Sequence, residues 1–291
     1  MDTDIGSDID DTWALAALLK SRELDLKLVT TTTGDPRYRA KIVAKMLEIA
    51  GRTDVPIGIG VPSHVRGQPQ GKWVKGYDLE KYSGEIKEDG AQAIVDAIMN
   101  APEMMTLITI GPLTTIAAAL AIEPEITTHA RVVGMLGSIY RGYGGSDRPV
   151  PEYNVKADIT AANAVFAAPW DMTITPLDTC GIVVLRGEKY QTIRACTDPL
   201  VNAVVENYDI WANSQGRKKR AEAKVQSSTL YDTVAIYLAF SEELVEIETL
   251  PTSIGKKGET KVDDEGRPVR CATRWKNFAG FEDFLVSRLI E

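Results

Sequence analysis

The first eleven residues, Met-Asp-Thr-Asp-Ile-Gly-Ser-Asp-Ile-Asp-Asp, carry five aspartates: Asp2, Asp4, Asp8, Asp10 and Asp11. An apolar helical pattern follows at once through Trp13, Leu15, Ala16, Leu18 and Leu19. Carboxylates packed this closely repel one another, and a segment running straight into a buried helix cannot spread them through solvent. The positive end of the helix offsets part of that repulsion. A hard divalent cation would offset more, because calcium and magnesium prefer carboxylate oxygens. Helix capping accounts for one or two acidic residues at a helix start. Five, punctuated by Gly6, exceed what capping uses.

The rest of the chain must hold that loop in place. Strand-like runs at 26–33, 55–60, 105–110, 131–136 and 172–176 alternate with helical patterns at 38–50, 91–100, 113–120 and 159–167. Such alternation predicts an α/β fold, with a mostly parallel central sheet flanked by helices on both faces. Ligands of such sheets sit outside the carboxyl ends of the strands. Asp35, Gly111-Pro112, the 137–154 loop and Asp178 fall at those ends, and the opening aspartates should join them. Only Met1 precedes the first Asp-Thr-Asp, so the strand expected to feed it is short or missing. Residues 67–90 and 137–151 read as long, glycine-bearing loops, which in compact domains are usually functional. Trp73, Tyr77, Tyr140 and Tyr143 lie in or beside them. The second half reads as helical at 200–213, 230–240 and 281–289, with an exposed hairpin or loop at 252–268. The basic run at 216–220 reads as a solvated helix face. No repeat or low-complexity linker divides the chain, so residues 1–291 read as one domain.

Composition narrows the partners. With 41 acidic against 33 basic residues, the net charge of −8 argues against a nucleic-acid backbone. No apolar run approaches the ~20 residues needed to span a bilayer. Three widely spaced cysteines, Cys180, Cys196 and Cys271, read as reduced thiols of a cytoplasmic protein.

The opening resembles the metal-binding signature of the inosine–uridine-preferring nucleoside hydrolases: Asp-x-Asp, a glycine, then a paired Asp-Asp entering a helix. Here the pattern is Asp2-Thr3-Asp4-Ile5-Gly6 followed by Asp10-Asp11, two residues longer than its shortest version. Ile110-Gly111-Pro112-Leu113-Thr114, Pro151-Glu152-Tyr153-Asn154 and Leu230-Tyr231-Asp232 resemble three later motifs of that family, in the same order. The resemblance implies an N-ribohydrolase with one Ca2+ ion, a small-molecule riboside as substrate, and a homodimer or homotetramer. It implies Asp4, Asp11, Asp232 and the backbone carbonyl of Ile110 as metal ligands. Asp4 would also be the general base. Asp10, Glu152 and Asn154 would grip the ribose hydroxyls, Asp35 would make a further sugar contact, and Tyr231 would meet the base.

Three positions depart from the family pattern, one of them Ser146, which stands in the loop before Glu152 where an asparagine is common. Tyr231 stands where many members carry the histidine that protonates the leaving base, and a phenol with an ordinary pKa of about 10 is poorly matched to that task. Asp35 replaces an asparagine and cannot donate a hydrogen bond when ionised. The only histidines are His64 and His129. Two other readings stay open. One is a metal-dependent ribose- or nucleoside-binding protein with weak or no turnover. The other is a phosphotransferase of the haloacid-dehalogenase type, using Asp-x-Asp with magnesium, Lys156 and the Asp263-Asp264 pair.

Overall fold

The computed structural model describes residues 1–64 and 67–291. Among these, ten strands form one sheet: β1 (Asp2–Thr3), β2 (Val29–Thr31), β3 (Ile57–Ile59), β4 (Ile86–Lys87), β5 (Met105–Thr109), β6 (Ala130–Met135), β7 (Met172–Thr175), β8 (Val245–Ile254), β9 (Thr260–Val262) and β10 (Arg267–Trp275). Their order across the sheet is β4-β3-β2-β1-β5-β6-β7-β10-β8-β9. Neighbours are parallel from β4 through β10, and β10-β8-β9 form an antiparallel arm. Helices cover both faces. Those at Asp10–Leu19, Pro36–Ile49, Pro199–Ser214, Thr233–Leu238 and Phe278–Ile290 share one apolar cluster. Those at Gly90–Met99, Thr114–Ile122 and Ile159–Ala167 share the other.

The strand that feeds the acidic loop is the two-residue β1, and it lies mid-sheet. Asp2 is in register with Thr30 on one side and Thr109 on the other. The Met1 amine donates to the Leu28 carbonyl at 2.8 Å, and Thr30, Thr32 and Ile110 amides donate to the carbonyls of Met1, Thr3 and Asp2 at 2.8–3.0 Å. Pairing on both edges lets so short a strand hold its place. From β1 the chain builds β2, β3 and β4 to one side, then crosses to β5 on the other. The carboxyl ends of β1 and β5 therefore flank a topological switch point, where open α/β sheets leave a crevice.

Three expectations about local structure change. The 67–90 stretch is not wholly irregular, since it includes a short 3-10 turn at Leu79–Lys81 and edge strand β4. The 252–268 stretch does form a hairpin, residues 252–254 pairing with Thr260–Val262, but it belongs to the longer β8–β10 arm, so the second half carries three strands as well as helices. Glu246 and Glu248 interrupt the apolar pattern of β8, and Arg274 on β10 reaches Glu246 at 2.7 Å. Such a half-exposed strand has little apolar periodicity to read. The helix expected over 230–240 spans only Thr233–Leu238, because the Leu230 amide is drawn to the Val183 carbonyl at 2.8 Å. Among the described residues no helix is long and apolar enough to cross a membrane.

Candidate active site

Asp4 emerges from β1, and Ile110 from β5 beside it. Gly111 permits that approach, because a Cβ there would stand 2.7 Å from the Asp4 amide nitrogen. Gly6 turns the loop at φ +104°, and a Cβ on it would meet the Tyr38 ring at 2.8 Å. Arg39 lies beneath the loop, buried. Its guanidinium donates to the carbonyls of Asp4, Ile5 and Thr33 and to Ser7 Oγ, the last three at 2.8–2.9 Å. Loop backbone and a fixed cation are thus tied together before any carboxylate is considered.

The helix at Asp10–Leu19 begins with Ile9 at its N-cap position, and no side chain caps it. Asp10 and Asp11 occupy the first turn, near the helix's positive end. Asp232 precedes the helix at Thr233–Leu238 and makes no capping bond either. All three carboxylates remain available, and they converge. Asp10, Asp11 and Asp232 each place an oxygen within 4.8 Å of the others, fully enclosed by protein. Thr3 Oγ1 donates to Asp11 at 2.5 Å. Burial first, then repulsion from neighbouring carboxylates, raises all three well above the usual carboxylate range: Asp8 and Asp4 act on Asp10, Asp4 and Asp10 on Asp11, and Asp10 and Asp11 on Asp232. Asp4 is raised by burial as well, and Arg39 opposes that rise. An all-oxygen, buried, mutually repelling donor set fits a hard divalent cation. Arg39 does not take that place, since its donors are directed at backbone carbonyls and Ser7.

These groups floor a cavity of about 470 Å³. Asp4, Asp10, Asp11, Ile110, Glu152, Asn154, Tyr231 and Asp232 all line it. Asp4 faces the cavity outside the trio. Glu152 caps the helix at Tyr153–Ala157 and accepts amides of Gly137, Asn154 and Val155 at 2.8–3.2 Å. Burial still pushes its carboxyl up to about 7. Asn154 Nδ2 donates to the carbonyls of Ile110 and Met135 at 3.2 and 3.1 Å, tying the ends of β5 and β6 together. Tyr231 meets Tyr143 edge to face, with ring centroids 6.0 Å apart.

Other sequence candidates lie elsewhere. Asp35 does not line this cavity. It caps the helix at Pro36–Ile49 by accepting the Tyr38 amide at 3.0 Å, and it takes Gln68 Nε2 at 3.1 Å. Of the loop aromatics only Tyr143 reaches the cavity. Trp73 is buried under Lys45 and donates to Glu206, Tyr77 packs against the core, and Tyr140 donates to Glu248. His64 is exposed on a neighbouring cavity with Thr33 and Pro112, and His129 is exposed on a short helix. Lys156 is exposed, and Asp263 accepts from Ser253 and Glu265 on the arm. The phosphotransferase reading therefore lacks its lysine and its second acidic pair. Asp2, whose role was open, is fully buried in β1. It accepts Thr30 Oγ1 at 2.6 Å, and burial pushes it up to about 7.

Four contributors were not foreseen. Arg39 is one; its position three residues before Ile42 on an otherwise apolar helix face was a usable signal. Gln70 donates to the Asp8 carbonyl at 2.6 Å and accepts Asn207 Nδ2 at 2.7 Å. Trp211 lines the cavity, and its Nε1 donates to the Ser7 carbonyl at 3.2 Å. Gln70 and Trp211 meet the loop across 62 and 204 residues of chain, and Asn207 holds Gln70 across 137, which no local pattern reveals.

The family model "Inosine-uridine preferring nucleoside hydrolase" matches residues 1–282. The Non-specific ribonucleoside hydrolase RihC of Salmonella schwarzengrund is 31% identical over 288 residues, covering 92% of this chain and 88% of that protein. Among solved structures, the plant nucleoside hydrolase PpNRh1 superposes with a TM-score of 0.82 at 20% identity, covering 99% of this chain and 97% of that one. The purine-preferring ribonucleoside hydrolase from Gardnerella vaginalis gives 0.79 at 20% identity, covering 99% and 96%. With the family pattern running from residue 1 to residue 282 and a relative 31% identical across 92% of the chain, the protein belongs to the inosine-uridine preferring nucleoside hydrolase family and is an N-ribohydrolase.

Proposed function

We propose that the protein hydrolyses the N-glycosidic bond of ribonucleosides or related ribosides with the help of one Ca2+ ion, releasing ribose and base. The observation that carries this reading is the convergence of Asp10 and Asp11 with Asp232, more than two hundred residues away, at the sheet's switch point. Asp4, Asp11, Asp232 and the Ile110 carbonyl would hold the ion. Asp10, which belongs to the grouped trio and is hydrogen-bonded to Asp232, would grip a ribose hydroxyl instead. When bound, calcium would supply loose oxygen coordination, orientation of sugar hydroxyls and a lowered pKa for water.

The chain's own residues carry the remaining work. Asp4, on the cavity wall, accepts the proton of the attacking water. The surrounding carboxylates favour the positive charge that develops on the sugar as the bond breaks. Glu152 and Asn154 grip ribose hydroxyls from the opposite wall; Asn154 also locks β5 to β6, which keeps the Ile110 carbonyl in place. Tyr231 and Tyr143 lie where a departing base can stack. A homodimer or homotetramer and a cytoplasmic setting complete this reading.

The test is metal content with activity. The protein purified with calcium should carry one ion per chain and release ribose from a ribonucleoside panel. Asp11→Ala should lose both. Unchanged calcium in a folded Asp11→Ala protein would overturn the ligand assignment, and no ribose from any nucleoside would overturn the activity.

A further inference from the structure

Asp8, like the buried Asp2, is required by neither the ion nor the ribose, but unlike Asp2 it lines the cavity, and the fold fixes its position. Its carbonyl takes Gln70 Nε2 at 2.6 Å, and Gln70 is held in turn by Asn207 at 2.7 Å and Thr12 at 3.3 Å. The preceding Ser7 is pinned by Trp211 through its carbonyl and by Arg39 through its hydroxyl. One Asp8 carboxylate oxygen takes its own neighbour's amide, that of Ile9, at 2.7 Å. Asp8 is exposed and lines the same cavity as Tyr143 and Tyr231, and partial enclosure by the cavity walls raises its carboxyl from the ordinary carboxylate range.

Tyr231 and Tyr143 cross at 89°, so the face of one ring is turned to the edge of the other. Trp211 lines the same mouth. Aromatic faces beside a carboxylate attract cations through the ring quadrupole and through charge. Six carboxylates line the cavity, those of Asp4, Asp8, Asp10, Asp11, Glu152 and Asp232, and no lysine, arginine or histidine does among the described residues. The lining thus holds more acidic groups than one dication offsets, and low-dielectric walls focus the field of those that are ionised. Lys219, whose charge reaches Asp8 from outside the cavity, is paired with Glu222 at 3.2 Å.

Resting on the proposed ribosidase reading, we infer that this site favours ribosides whose departing base is a cationic N-heterocycle, and that Asp8 with the Tyr143 and Tyr231 rings forms the base subsite. The chemistry agrees with the side chains present. When the ring nitrogen attached to C1′ is already positively charged, breaking the C1′–N bond returns the bonding pair to that nitrogen. The base leaves neutral and needs no proton. The oxygen of water bonds to C1′, and its proton passes to Asp4. A neutral base would depart as an anion unless protonated. At this mouth the described residues offer phenols and a carboxamide but no imidazole.

The test uses the calcium-loaded full chain and two non-hydrolysable C-ribosides of matched shape, one bearing an N-methylpyridinium ring and the other a methylphenyl ring. Titration calorimetry should give the cation a Kd about tenfold lower, and Asp8→Asn should shrink that ratio about fivefold. Equal Kd values in the native protein, or a ratio that Asp8→Asn leaves unmoved, would overturn the inference. A pyridinium N-riboside and uridine are assayed for ribose release in parallel. Turnover of uridine without any charge preference in binding sinks this inference alone. No turnover of either N-riboside sinks the ribosidase reading, while the binding ratio still decides the subsite.

Discussion

At the floor of the cavity, Asp4, Asp10, Asp11 and Asp232 sit at the ends of a strand and two helices, each at most 5% exposed. At its mouth, Tyr143 and Tyr153 are each 44% exposed, and Tyr143 rides a loop that turns through Gly144 and Gly145 at φ +66° and +77°. The floor is tied by Arg39, Thr3 and the β1 ladder. The Tyr143 loop is tied by its phenol accepting the Tyr153 amide at 3.0 Å and by Arg141 reaching Asp147 at 2.7 Å, whereas Asp8 is held through Gln70 as firmly as the floor. The contrast separates two tasks. Ion and ribose binding need oxygens held to a fraction of an ångström, which packed element ends supply. Base recognition tolerates adjustment, and loops supply it.

The largest effects should come from the floor. Asp4→Asn removes the proton acceptor and should lower kcat by about 10²–10⁴-fold; steady-state ribose release measures it. A loss below tenfold would mean that the water proton goes elsewhere. Next comes the tether. Arg39→Met removes the guanidinium donors from the Asp4, Ile5 and Thr33 carbonyls, leaving Asp4 only the Ser7 amide at 3.3 Å, and should cost about 3 kcal/mol of stability by urea unfolding. It should also weaken calcium binding, with Arg39→Lys recovering only part because one ammonium cannot reproduce the planar fork. If calcium affinity survives Arg39→Met, floor and tether are independent and the contrast drawn above is too sharp.

Changes at the mouth should be smaller and of another kind. Tyr143→Leu should raise KM about threefold to tenfold through lost ring contacts, with calcium stoichiometry unaltered. Lost calcium in that variant would show that mouth and floor are one unit. The smallest effect belongs to a pair remote from both. Arg288 donates to Glu23 and holds its carboxyl down to about 2 from an ordinary 4.5. A depressed folded-state pKa stabilises the fold above 4.5, and that contribution is lost as pH falls from 4.5 towards 2. Because the Glu23 side chain is 41% exposed, screening leaves about 0.5 kcal/mol. Glu23→Gln should flatten the acid limb of stability by that amount and leave ribose release at neutral pH untouched.

Much of this was legible in the chain. Asp4, Asp10 and Asp11 lie within one short stretch, and alternation of strands and helices was enough to expect a parallel sheet with ligands at its carboxyl ends. The antiparallel arm escaped because Glu246, Glu248, Arg270 and Arg274 break its apolar alternation and satisfy one another across strands. Asp35 read as a sugar contact through the family resemblance, at a position where an asparagine is common. Its side chain instead answers the nearer demand of the Tyr38 amide. Trp73 and Tyr140 lie in or beside long loops that read as functional, but an aromatic side chain in a loop can turn either way, and here neither lines the cavity.

Taken alone, the sequence determined the kinds of atoms available: a surplus of carboxylates at a helix start, a carbonyl after β5, a tyrosine beside the last aspartate. These follow from residue type and local spacing, which short-range physics controls. Only the tertiary structure decided which carboxylates share a volume, that Arg39 supports the loop from below, and that Gln70 and Trp211 hold the backbone at Ser7 and Asp8. Those contacts join segments far apart in the chain. They exist because burying two apolar layers against one sheet leaves these polar groups no other place to be satisfied.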